Sequence, residues 1–496
     1  MFNPRADKGP LKQPPVPWSA NESTPLLSKK ISFDVPPKAR RLSTSSRKYG
    51  TQDRTVDFSV PSSASQRRLS NVSARSTRSI ARSIKYTHVG RSTFGQTLFN
   101  SIAILLGIGM LSEPLAFAYS GWVMGTIIII AYGALSCYTA KILARIICAD
   151  SRLRSYADIG RKAFGPRATG FISFMFCLEL FSVSVILVTL YADSLHTIIP
   201  TYSANTYKIW GILVLVPTVF LPLSLLSYTS MLGIVSTVLL VLVVFIDGSF
   251  KTQAPGSFWE PAETTLGVAS ASKLGIAFGL FMAGFAGHAV IPSLARDMVD
   301  PTQFDTMINW AFVVATLIYG AIGYAGYLMY GNNVSDEISV DMLNTPGYNP
   351  LLNQAALWVL VLNPLSKFAL GTQPLNATLE ILLGLDTPIP TPEHVAKRPD
   401  SVSVSECRGK YVALKKVLAV IQRIVVTCAA VAVSIYIPEF STMMAFLGSF
   451  SAFCLSIVGP IAAKVKLEGK CSKVDASIMV AGTVMAIWGT VAAFMD

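Results

Sequence analysis

Two interrupted apolar stretches constrain this chain more than any other feature of it. One reads Gly107-Ile108-Gly109-Met-Leu-Ser-Glu113-Pro114, the other Gly284-Phe285-Ala286-Gly287-His288-Ala-Val-Ile-Pro292. Each lies inside a segment long enough to cross a bilayer, and each places a proline five residues after its second glycine. Hydrocarbon gives backbone groups no hydrogen-bond partners, so a broken spanning helix persists only where it faces protein or a wet cavity. Two such breaks at corresponding places in two halves of a chain are the sequence mark of a central solute site. The pattern points to passage of a small solute through a membrane.

Composition supports a membrane body carrying a soluble extension. Only 14% of the 496 residues are charged, and mean hydropathy is +0.50, too apolar for a soluble protein of this length. The net charge of +13 is localised: residues 1–91 hold 18 Lys and Arg against 5 Asp and Glu, and the remaining 405 residues hold 23 of each sign. A neutral body gives no support to nucleic acid as its partner. Residues 1–91 form a Ser-, Arg- and Pro-rich segment without apolar periodicity, expected to be a disordered cytosolic tail, and residues 92–496 form the transmembrane domain. The tail has no apolar core of a secretory signal.

Three patterns in the tail suggest handling by other proteins. Glu22-Ser-Thr-Pro-Leu26-Leu27 has the form of an acidic dileucine sorting signal, read by a sorting adaptor for delivery to vacuolar or lysosomal membranes. Ser43 and Ser70 each follow Arg-Arg-Leu and suit a basic-directed kinase, whose phosphate would offset local positive charge. The run from Arg75 to Arg91 suits contact with anionic cytosolic lipid.

Apolar runs of about 20 residues give eleven expected spans. They lie near 93–118, 122–147, 168–192, 208–226, 229–248, 274–294, 308–330, 351–381, 413–436, 441–463 and 474–494. With the tail in the cytosol, cytosolic connections carry 18 basic residues, and the opposite side carries only Lys208, Lys251 and Lys273. That asymmetry obeys the positive-inside rule and puts the C-terminal end in the lumen. Asn333-Val-Ser335 is then a usable glycosylation sequon, whereas Asn21 and Asn71 lie on the wrong side. The stretch from Ser155 to Gly165 reads as a short amphipathic helix on the cytosolic interface. The seven cysteines fall in spans or cytosolic connections, with no metal-type spacing, so neither disulfide, metal nor cofactor is expected. Enzyme signatures are lacking as well: no Ser/His/Asp constellation and no phosphate loop stand out.

A small polar solute needs donors for its acceptor groups and acceptors for its donor groups. Unwound backbone supplies both, through free N–H groups where a half-helix begins and free carbonyls where one ends. Gly107, Ile108 and Gly109, with Gly284, Phe285, Ala286 and Gly287, are therefore the expected substrate-binding backbone. The same glycines could instead serve helix packing; the alignment of both breaks on prolines favours the site. Intramembrane ionisable groups are costly and are functional candidates by default. Glu113 and His288 flank the breaks, and imidazole titrates nearest the pH difference between cytosol and an acidic lumen.

Phe99-Asn100-Ser101, the Gly107-to-Pro114 run, Tyr119-Ser-Gly121-Trp122 and Asn363-Pro364-Leu-Ser-Lys367-Phe-Ala-Leu370 together resemble the amino acid/auxin permease family. Within it they are most similar to the vacuolar amino acid transporters and the vesicular inhibitory amino acid transporter. The resemblance covers residues 92–494. It implies an all-α integral membrane fold of eleven helices. These form a LeuT-type inverted repeat of five plus five with one added helix, the first and sixth being discontinuous. It also implies proton-coupled amino acid antiport into the vacuolar lumen. In that architecture Glu179 falls on the third helix, a wall of the substrate site. Lys367 falls where sodium-coupled relatives hold their ion, so His288, Lys367 and Glu113 are the expected proton-coupling residues. Ala103 and Glu113 depart from the commoner pattern, which has a second Asn and an apolar residue there, so substrate choice or coupling can differ. Two other readings fit the residues: a plasma-membrane or efflux amino acid/proton symporter, and an amino acid sensor that signals through the tail.

Overall fold

The computed structural model describes residues 90–221, 223–385 and 402–495. The tail motifs at Glu22, Leu26, Leu27, Ser43 and Ser70 lie outside them. Among the described residues the protein is helical, with one isolated parallel bridge between Ser92 and Met298. Eight helices are long and apolar enough to cross a membrane, and Phe94–Leu105 and Ala271–Gly284 are shorter apolar helices.

The chain enters through α1 (Phe94–Leu105), opened by a capping box between Thr93 and Gln96. A four-residue 3₁₀ turn, Ile108–Leu111, leads into α2 (Glu113–Ala149), which starts with Pro114 in its first turn. Helical geometry fails inside α2 at Gly121, where φ is 71° and ψ 173°. A Cβ there would lie 2.2 Å from the Gly267 carbonyl oxygen. The backbone groups freed at this corner pair with the segment following α6. Trp122 N–H donates to the Thr265 carbonyl (3.2 Å), Val123 N–H to Leu266 (3.3 Å), and Ala269 N–H returns to Tyr119 (3.1 Å). The sequence expectation of one span ending near residue 118 and another starting near 122 matches this corner.

The expected interfacial helix is α3 (Tyr156–Phe164), capped by Ser155 and Asp158 and ended by Gly165 at φ 87°. It is followed by α4 (Pro166–Ile198), α5 (Ala204–Thr218) and α6 (Leu223–Phe250). At 15 residues α5 is shorter than the expected fourth span, and Pro217 sits in its final turn, where a missing N–H and the ring's bulk stop a helix. Then come α7 (Ala271–Gly284), α8 (Ile291–Asp297), α9 (Phe304–Tyr330) and α10 (Ile338–Asn344). The long α11 (Pro350–Leu382) holds Pro364 and Pro374 within it. Last are α12 (Val402–Tyr436), α13 (Phe440–Phe446), a π-helical stretch Leu447–Val458, α14 (Gly459–Glu468) and α15 (Lys473–Met495).

The polarity of the body is that of a lipid-embedded bundle. Leu213 is 77% exposed and Ile487 62%, while Ser136, Thr139, Ser184, Thr372 and Ser434 are buried. Several buried hydroxyls return their hydrogen bonds to the preceding turn, as Ser184 does to the Leu180 carbonyl (2.8 Å) and Thr372 to Phe368 (2.8 Å). Outward apolar and inward small polar residues are what packing in hydrocarbon selects. Glu113–Ala118 and all of Gly275–Gly284 are buried, so α7 and the first segment of α2 form the centre.

Candidate functional site

The two sequence breaks meet in space. After Leu105 the chain leaves the helix: Leu106 N–H still donates to Ile102 (2.7 Å), but Gly107 is extended at φ −114° and ψ −152°. On the other side α7 ends at Gly284, Gly287 sits at φ 121°, and α8 resumes at Ile291 with Pro292 in its first turn. A Cβ on Gly109 would lie 2.7 Å from the Gly284 Cα and 3.0 Å from its nitrogen. The breaks are thus packed backbone against backbone, closer than any side chain allows. Gly107 is different. Its nearest neighbour would be the Leu105 carbonyl oxygen at 3.9 Å, so its bare face looks into open space where a ligand can approach. Leu106, Gly107, Ile108, Ala286 and Gly287 are half-buried, and Gly109 is buried.

Burial is lopsided. The α1 side exposes Phe99 (53%) and Ile104 (36%), whereas Leu115, Ala116 and Phe117 beyond the break are buried. The less buried end is also where the two chain segments flanking the site are tied together. Ser92 N–H donates to Asp297 (2.8 Å), Val299 N–H donates to Ser92 (2.9 Å), and the Ser92 hydroxyl donates to the Asp297 carboxylate.

Glu113 and a residue the sequence did not single out, Tyr319, close the opposite side. Glu113 is fully buried, and neither carboxylate oxygen has a hydrogen-bond partner among the described residues. Its Oε1 is 2.9 Å from the position a Gly284 Cβ would take, so it faces the second break. Tyr319 of α9 is also fully buried. Its hydroxyl reaches the Leu105 carbonyl and, at 2.9 Å, the Gly284 carbonyl. Its ring stands edge-on to Phe285, with centroids 5.5 Å apart. Four tyrosines lie between 319 and 330, and nothing in their spacing marks the first.

The other sequence candidates fall at greater remove. His288 is 1% exposed, and its Nε2 lies 3.0 Å from both the Ser136 carbonyl oxygen and the Thr139 hydroxyl. As an N–H it donates to that carbonyl and pins the second break to α2. Lys367 of α11 is half-buried against α6, its Cε 2.7 Å from where a Gly233 Cβ would be. Glu179 of α4 is 6% exposed, with Oε2 unpartnered among the described residues. Its electrostatic neighbour is Tyr156 of the interfacial helix: burial, then the Glu179 carboxylate, pushes that phenol well above its usual range. The structure therefore joins Gly107, Gly109, Glu113, Gly284 and Gly287 in one place, with His288 at its edge. Lys367 and Glu179 contact other elements. Among the described residues no group of three or more His, Cys, Asp or Glu side chains is placed to hold a metal ion. Asn333 is exposed in a 3₁₀ turn after α9.

Residues 90–495 match the family described as transmembrane amino acid transporter protein. The relative named Amino acid transporter AVT1B, from Arabidopsis thaliana, is 29% identical over 418 residues, covering 81% of this chain and 71% of its own length. Amino acid transporter AVT1D of the same organism is 27% identical over 520 residues, covering 97% of this chain and 87% of its own. Among solved structures, the crystal structure of MhsT in complex with L-phenylalanine matches with a TM-score of 0.50 at 9% identity, over 80% of this chain and 98% of that one. The match places the helical body among LeuT-type folds.

Proposed function

The chain belongs to the transmembrane amino acid transporter family, and from that premise we propose that it is a secondary active transporter exchanging amino acids for protons across the vacuolar membrane, loading the lumen. The observation that carries this reading is the backbone-to-backbone meeting of the two helix breaks at Gly109 and Gly284. Spanning segments give up hydrogen bonds only for a return in function or packing. Here Gly107 leaves room for a ligand beside the freed backbone, so packing alone does not account for the pair.

Eleven spans accommodate the helices described. The eight long apolar ones are the second, third, fifth and seventh to eleventh. The first and sixth fall short of span length because each is split in two, and the fourth is the short α5. In this reading the tail and the start of α1 face the cytosol. Vacuolar location rests on the resemblance of the motifs to vacuolar transporters and on the Glu22–Leu27 signal.

Of the three ionisable candidates, geometry favours Glu113 as the coupling group. It faces the second break with both oxygens unpartnered. A lone carboxylate charge in a dry interior is costly, so proton gain and loss there is tied to what occupies the site. His288 has a partner on α2, and Lys367 packs against Gly233 of α6 rather than against either break.

The test is uptake by purified protein in liposomes with an imposed pH gradient, scanned across amino acids. Gly107→Leu is expected to abolish flux while the protein folds normally, because the new side chain enters the ligand's space. Glu113→Gln is expected to leave substrate binding and remove the stimulation by the pH gradient. Flux that requires sodium, or that survives Gly107→Leu, contradicts the proposal.

A further inference from the structure

The carbonyls that end the two half-helices converge on one side chain. Leu105 closes α1 and Gly284 closes α7, and both carbonyls accept from the single hydroxyl of Tyr319. The Leu105 carbonyl also accepts from the Gly107 N–H at 2.8 Å, so the Gly284 carbonyl is the one that leans on Tyr319. That hydroxyl has one hydrogen to offer. An α-ammonium has three, and it would satisfy the same two acceptors with one donor to spare. The ring reaches this point because Gly284 has no Cβ; one would lie 3.0 Å from the Tyr319 Cε2. Tyr319 stands on α9, a continuous helix, so it bridges the two broken elements from outside both.

We propose that the Tyr319 hydroxyl takes the place of the substrate's ammonium in the empty carrier, holding the carbonyls of both broken helices so that the unloaded site can close and reorient. This rests on the breaks being the amino acid site. A carbonyl left without a donor in a dry interior forfeits its hydrogen-bond energy. The Gly284 carbonyl is supplied by the substrate in a loaded site and by Tyr319 in an empty one. Tyr319 is thus a positioning residue for the return of the empty carrier. Exchange, in which the carrier crosses loaded both ways, does not need it.

The experiment compares two fluxes in liposomes holding the full-length protein, with the amino acid that gives the largest uptake in the scan above. Net uptake into empty liposomes requires the unloaded carrier to return; exchange against the same amino acid inside does not. Tyr319→Phe keeps the ring and its contact with Phe285. It is expected to slow net uptake about fivefold to tenfold, the scale of one neutral hydrogen bond, and to slow exchange by a clearly smaller factor. Equal loss of both fluxes, with exchange by the parent still abolished by Gly107→Leu, would show that Tyr319 is only structural and overturn the proposal. Exchange that persists in Gly107→Leu would overturn the site beneath it. The unmodified protein gives a second check that does not depend on the variant folding. The N-trimethylated form of the same amino acid, which has no N–H donor, is expected not to exchange. Exchange as fast as the parent amino acid would mean that the carbonyls need no donor, and the proposal falls.

Discussion

Gly107 and Gly109 stand two residues apart in one break and have opposite surroundings. A methyl group on Gly109 would collide with the Gly284 backbone at 2.7 Å, and neither main chain can yield without reshaping its break. Gly109→Ala is therefore expected to destabilise the purified protein by about 1–3 kcal/mol, the usual cost of over-packing a filled interior. Gly107 has an ordinary extended φ of −114° and no atom closer to the missing Cβ than 3.9 Å. Gly107→Ala should then shift stability by less than about 0.5 kcal/mol, as substitutions without a structural conflict do. Thermal unfolding of the two variants side by side checks this; equal losses would mean that Gly107 is a packing glycine too. The sequence marked both residues as special, because a paired glycine in a span is conspicuous. It could not say which faced backbone and which faced space, since that depends on α7, some 170 residues onward. Tyr319 escaped for the same reason: its role lies in two carbonyls that only the folded chain brings together.

The helices themselves were largely legible, because lipid imposes one length and one polarity on every span. The gap between the spans expected near 93–118 and 122–147 falls on the corner of α2 at Gly121, and Ser155 with Gly165 bounded the expected interfacial helix within a residue at each end. Less legible were the connections, where polar groups pair across long stretches of sequence. Lys208 of α5 is buried and donates to the Ser434 carbonyl of α12 at 2.7 Å, with Asp193 of α4 and Glu337 beside it as charged neighbours. Glu337 is 2% exposed and receives one hydrogen bond, from Ser339 at 3.3 Å. Burial first, then Asp193 and more weakly Asp336, hold its carboxyl well above the usual range; Ser339 and Lys208 oppose this. His196 and Glu439 line the same recess. A folded-state value raised above the unfolded one stabilises fully below the unfolded value of about 4.3, and the benefit is lost as pH rises through the folded value. The protein is accordingly expected to be more heat-stable in acidic than in neutral buffer, with Glu337→Gln narrowing the difference. A variant with the wild-type pH dependence would remove Glu337 as its source.

For the molecule as a whole, the account joins a family, a fold and a site. The family match spans nearly the entire described body. The helices are interrupted at two places, and the breaks meet at Gly109 and Gly284. Burial is asymmetric about that meeting point, with Phe99 and Ile104 of α1 exposed and the start of α2 covered. What composition could reveal at this scale was the separation of a basic tail from a neutral membrane body. What it could not reveal was which residues around the breaks are buried, because that depends on the elements that pack there. The central claim is that an amino acid sits between the two helix breaks, and the most direct measurement is an electron cryomicroscopy map of the protein in nanodiscs with its best-transported amino acid. The account predicts density beside Gly107 and Gly287, with the ammonium at the carbonyls of Leu105 and Gly284 in place of the Tyr319 hydroxyl. Density elsewhere, such as the recess between Asp193 and Glu337, with Tyr319 still bridging those carbonyls, would contradict it.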